Sequence, residues 1–170
     1  MRTHQGFSLI ELMITLVIVV VLLVASAPSF STFVQNRKVR TEATSIHDGL
    51  SLAKTEAVRR NTTTTFTLAS NSSWAVTCAT CTDVLPSITA AEVPSGITTT
   101  ASTSTITFNG FGRASSLAGT NNATIEVGNT QGACLTASGT GTIRCLRVVV
   151  TPGGLIRTCD PVLSSSPQAC

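Results

Sequence analysis

The side chains that could do chemistry are few and scattered. The chain has eight carboxylates, two histidines and no tyrosine. His4 lies near the start and His47 in a stretch of helical pattern, so neither faces a second histidine. No Ser/His/Asp set, carboxylate pair or phosphate loop appears at a working spacing. His47 reads as a partly exposed helix residue. Neither an enzyme nor a cofactor is expected.

All six cysteines lie beyond residue 77. An even number confined to one region reads as a disulfide framework. Such bridges persist in the periplasm or outside the cell. Cys78-Ala79-Thr80-Cys81 is a CxxC with three readings. A zinc site needs four ligands, and no second pair of suitable spacing exists, so no metal is expected. A redox pair wants a helix N-terminus to lower the thiol pKa, and this stretch reads as strand and turn. A short structural bridge is the plain reading. Among the many pairings that six cysteines allow, sequence proximity favours Cys78–Cys81, Cys134–Cys145 and Cys159–Cys170.

The charges are unevenly placed. From Thr62 onward there are four acids and four arginines, Arg113, Arg144, Arg147 and Arg157, so that region is neutral by count. It will not bind nucleic acid by bulk electrostatics; a local patch would be needed. The excess positive charge sits at Arg2 and between Arg37 and Arg60.

The elements that carry these residues follow from pattern. Leu12 to Gln35 holds no charge and is almost wholly apolar up to Ala27. About 20 such residues cross a hydrocarbon core of about 30 Å, so residues 7–35 read as a transmembrane helix. A signal peptide fits poorly, because its apolar region is shorter and is cut at the far end. Glu11 is the odd residue: an ionised carboxylate in such a helix costs roughly 2.5–3.5 kcal/mol at the bilayer centre, less near an end. It either pairs with a positive group or rests at headgroup level, favoured by the helix dipole. Pro28 removes one backbone hydrogen bond and crowds the preceding turn, so a kink is expected there. Arg37, Lys38 and Arg40 outnumber Arg2 across the apolar run. The positive-inside rule would therefore leave the cysteines in the cytoplasm, in conflict with their disulfide chemistry.

Residues 36–61 continue the helical pattern. Val39, Ala43, Ile46, Leu50, Ala53 and Ala57 recur at spacings of four and three, one apolar stripe. Arg37, Lys38, Arg40, Glu42, Asp48 and Lys54 lie off it. Glu56 and Arg60 form an i,i+4 pair. Asn61 and a threonine run end the helix. Residues 62–170 read as short strands, with candidates at 63–69, 73–78, 105–109, 123–127, 142–151 and 155–159, and a loop with room for one strand at 86–104. The fold class is α+β: a long N-terminal helix packed, in its C-terminal half, on an antiparallel β-sheet head.

Gly6-Phe7-Ser8-Leu9-Ile10-Glu11, followed by the apolar helix, resembles the leader and first helix of type IV pilins and type II secretion pseudopilins. The resemblance implies a leader at residues 1–6, prepilin peptidase cleavage between Gly6 and Phe7, N-methylation of Phe7, and pairing of Glu11 with a neighbour's new amine during assembly. Pro28 falls where pilins commonly carry a kinking proline. Ala53, Glu56, Ala57, Val58 and Arg60 match a stretch that resembles the GspH/FimT branch, and Cys159-Asp160-Pro161 with Cys170 resembles the tail of FimT-like minor pilins. The implied partners are other major and minor pilins, prepilin peptidase and a membrane crossed once. The implied location is the inner membrane with residues 36–170 in the periplasm, then the pilus at the cell surface. Two alternatives follow from the same family. One is a GspH-type minor pseudopilin of type II secretion. The other is a DNA-binding tip pilin, since some FimT proteins bind DNA through a G-R-x-R motif. Gly154 and Arg157 keep that motif's ends, but Leu155 replaces its first arginine; Arg144 and Arg147 could add to a patch.

Overall fold

The computed structural model describes residues 7–117, 119 and 121–170, apart from the side chains of residues 25–29. The chain divides into two compact units, Met1–Val34 and Gln35–Cys170. One helix, α1 (Leu9–Arg60), runs through both.

In the first unit the apolar side chains from Leu9 to Val24 are all exposed. Among the described residues no helix is long and apolar enough to cross a membrane. The described side chains of the apolar run stop at Val24, short of the roughly 20 residues a crossing needs. The sequence expectation of a crossing also counted Ala25 to Ala27, whose side chains lie outside the described residues. The kink expected at Pro28 falls there as well.

In the second unit α1 presents the expected stripe, and Val39, Ala43, Ile46, Leu50, Ala53 and Ala57 are completely buried. The helix ends as its sequence dictates. Asn61 takes a left-handed φ of 48°, tolerated by asparagine better than by most residues. The Asn61 amide bonds the Val58 carbonyl at 3.2 Å and the Thr62 amide bonds the Ala57 carbonyl at 3.1 Å. This pair of bonds is the Schellman closure, which satisfies carbonyls the last turn leaves open.

The strands are β1 (Thr64–Leu68), β2 (Trp74–Cys78), β3 (Ser87–Ile88), β4 (Ile97–Ala101), β5 (Thr105–Phe108), β6 (Ala123–Asn129), β7 (Leu146–Val150) and β8 (Ile156–Cys159). They form two antiparallel sheets of four strands, ordered β3-β2-β1-β5 and β4-β6-β7-β8. The 86–104 stretch supplies two strands, β3 and β4, one more than its sequence suggested. β7 is shorter than the expected 142–151 strand, because the Arg144 amide bonds the Asn36 side chain instead of a neighbouring strand.

Alternation places one apolar face of each sheet inward. Phe66 lies opposite both Val76 and Ile106. Ile125 lies opposite Val148, and Ala123 opposite Val150. All of them join the helical stripe in one core. Gly49 lets α1 approach closely: a Cβ there would sit 2.9 Å from the rings of Phe66 and Trp74. Those two rings are themselves in contact, with centroids 5.7 Å apart.

Candidate assembly and surface sites

The N-terminal site begins at Phe7, exposed by 85%. Gly6, the other half of the expected cleavage bond, lies outside the described residues. Ser8 precedes the first helical residue, and its carbonyl takes the Leu12 amide at 3.2 Å. Glu11 therefore stands in the first turn of α1. There the unpaired amides and the helix dipole favour a negative charge. Its side chain is exposed and, among the described residues, has no ion pair or hydrogen bond. The next dozen residues along the helix are uncharged, so no cation of its own helix turn can neutralise it.

The polar residues at the start of the second unit act as tethers that periodicity did not reveal. Gln35 accepts from the Asn129 amide side chain at 2.8 Å, and Asn36 accepts from the Arg144 backbone amide at 2.8 Å. Lys38 donates to the Ser95 carbonyl at 3.1 Å, and Lys54 to the Gly154 carbonyl at 2.9 Å. On the other flank the Trp74 indole donates to Ser45 at 3.0 Å. Together these bonds fix the rotation of the helix over both sheets.

Glu42 departs from the sequence reading. It was placed off the apolar stripe, yet it is 1% exposed, and its Oε1 has no partner. Burial pushes its carboxyl above the usual glutamate range, because taking the charged form out of water is unfavourable. Glu56 behaves oppositely. Hydrogen bonds from Arg59, then Arg60, hold it below that range, and Arg60 continues to Asp83 at 2.9 Å.

Cys78–Cys81, Cys134–Cys145 and Cys159–Cys170 are bridged. The first follows the end of β2, away from any helix N-terminus. The second closes an irregular loop, not a regular hairpin: Cys134 makes only an isolated bridge to Ile143. The third ties down the tail after β8, where buried Asp160 accepts from the Val162 amide and from Arg144. Among the described residues no group of three His, Cys, Asp or Glu side chains could hold a metal.

The arginines considered for DNA do not form a free patch. Arg147 lies opposite Glu126 across β6 and β7 and bonds it. Arg144 precedes β7 rather than lying within it, so strand alternation does not govern its direction; it bonds Asp160. Arg157 donates to the Cys170 carbonyl at 2.8 Å. Gly154 has a structural reason to be glycine. Its φ is +82°, and a Cβ would run into the Gly112 carbonyl.

Comparison with known proteins fits this geometry. Residues 1–27 match the prokaryotic N-terminal methylation motif. The fold matches two crystal forms of the type IV minor pilin FimU of Pseudomonas aeruginosa, at 14% identity in both. One gives a TM-score of 0.57 over 81% of this chain and 98% of FimU. The other gives 0.53 over 77% and 98%. No curated protein matches the chain. A long helix over antiparallel sheets, led by a methylation motif, defines a pilin-like α+β fold. Residues 42–154, most of the chain, match the model described as type II transport protein GspH, and the chain belongs to that family.

Proposed function

We propose that this chain is a minor pilin, processed between Gly6 and Phe7 by prepilin peptidase, methylated at Phe7, and built into a type IV pilus or its priming complex. Before assembly the helix of residues 7–35 anchors it in the inner membrane with residues 36–170 in the periplasm. The observation that carries this reading is Glu11: a carboxylate in the first turn of an exposed apolar helix, without a partner among the described residues. Packed among neighbouring helices, that charge needs a cation, and cleavage creates one at each neighbour's Phe7. Two unlike charges about 4 Å apart in a medium far less polar than water attract strongly enough to set register. The test is Glu11→Ala. Loss of the chain from sheared filaments, with the head still folded and all three disulfides formed, supports the proposal. Normal incorporation refutes it.

A second reading, a GspH-type pseudopilin of type II secretion, is favoured by the family match. Following a tagged chain in cells that lack one system or the other separates the two. The DNA-receptor reading gains nothing from Arg144, Arg147 and Arg157, each already bonded within the chain.

A further inference from the structure

Three cations close the uncharged stretch of α1, and the fold sorts them. Lys38 is turned to the loop before β4, with its Nζ 3.1 Å from both the carbonyl and the hydroxyl of Ser95. Arg37 and Arg40 instead line an open groove of about 460 Å³ along α1, with Thr41, Thr44, Ser45 and Asp48. The one acid between them and Asp48 is Glu42, which is buried and does not line the groove.

The lining has a direction. Arg37, Arg40 and Thr41 form one end. The Thr41 hydroxyl has no partner among the described residues, while that of Thr44 is already donated to the Arg40 carbonyl at 2.9 Å. Ser45 accepts from the Trp74 indole, which leaves its own proton to donate. Asp48 lies at the other end, within 3.3 Å of His47. It is eight residues past Arg40, about 12 Å along the helix. Two guanidiniums and the Thr41 hydroxyl at one end, with the Asp48 carboxylate about two helical turns past Thr41, suit a singly charged phosphodiester. The groove starts two residues after Gln35, where the uncharged run ends.

We propose that this groove seats the phosphate of an anionic phospholipid headgroup while the subunit stands in the membrane. The proposal rests on the membrane-anchored reading. It also gives the arginines a role on the flank where the positive-inside rule disfavours them: they hold the start of the head down on the outer headgroup layer.

Trp74, the single tryptophan, reports on the site because it bonds Ser45. The full chain is placed in nanodiscs of phosphatidylcholine containing a trace of pyrene-labelled phosphatidylglycerol or pyrene-labelled phosphatidylcholine. Energy transfer from Trp74 to pyrene is then measured. The expected preference for the anionic lipid is roughly thirtyfold, about fivefold for each arginine. It should vanish in Arg37→Gln/Arg40→Gln, persist in Lys38→Gln, weaken at high salt, and resist millimolar inorganic phosphate. Equal transfer to both lipids, with the chain seated in the disc, overturns the site and leaves the membrane reading standing. A chain that does not enter the disc overturns both. Displacement by inorganic phosphate would assign the groove to the free ion and overturn the lipid.

Discussion

Replacing Glu42 with leucine should stabilise the head, although it removes a charged residue from a helix. Glu42 is 1% exposed with one carboxylate oxygen unpartnered. A buried polar atom without a partner costs about 1–3 kcal/mol. Exchanging a buried ionisable group for an apolar one of similar volume is commonly neutral or favourable. Leucine is also a good helix former. The expected gain at neutral pH is about 1–3 kcal/mol, or roughly 2–4 °C in Tm for each kcal/mol in a chain of this size. The pH dependence fixes the cause. Burial raises the folded-state pKa of Glu42. Its contribution is therefore most favourable below the unfolded pKa, where the carboxyl is protonated in both states. That contribution is lost as the pH rises through the folded pKa. The advantage of Glu42→Leu should be small near pH 4 and largest near pH 8. Thermal or urea unfolding of the full chain in detergent, wild type against variant at both pH values, measures it. A variant less stable at pH 8, or a difference that ignores pH, would refute the reasoning.

Other perturbations probe the same frame. Gly49→Val should destabilise the head by about 1–3 kcal/mol, because its side chain would enter the space of Phe66 and Trp74; a shift in near-ultraviolet circular dichroism should accompany the fall in Tm. Cys134→Ser/Cys145→Ser opens a loop with a sequence separation of 11 and should lower stability by about 2–3 kcal/mol, read as a lower urea midpoint. Both substitutions should leave prepilin processing unchanged.

Much of this fold was legible because its signals are local. The stripe from Val39 to Ala57 sits on one helix face, and burial follows that face residue by residue. The cap at Asn61 and the turn signals between strands depend only on nearby residues. What could not be read depends on distant pairing. Nothing local says that β1, β2, β3 and β5 form one sheet and β4, β6, β7 and β8 another. The buried arc of α1 is wider than the apolar stripe, since it takes in Glu42. Glu42 is next to Ala43 and one turn from Ile46, both completely buried. The charge pairs have the same origin: Arg147 meets Glu126 only through the β6–β7 register. Glycine spacing alone could not separate a DNA motif at Gly154 and Arg157 from a tight turn beside Gly112. The N-terminal motif is the opposite case, since Gly6 to Glu11 is contiguous and Glu11 falls in the first helical turn.

Mass spectrometry of the chain recovered from sheared surface filaments tests the assembly claim most directly. The account predicts a mature chain that begins at N-methylated Phe7, lacks residues 1–6 and retains three disulfides. A chain that keeps its first six residues and is absent from the filament fraction would contradict it.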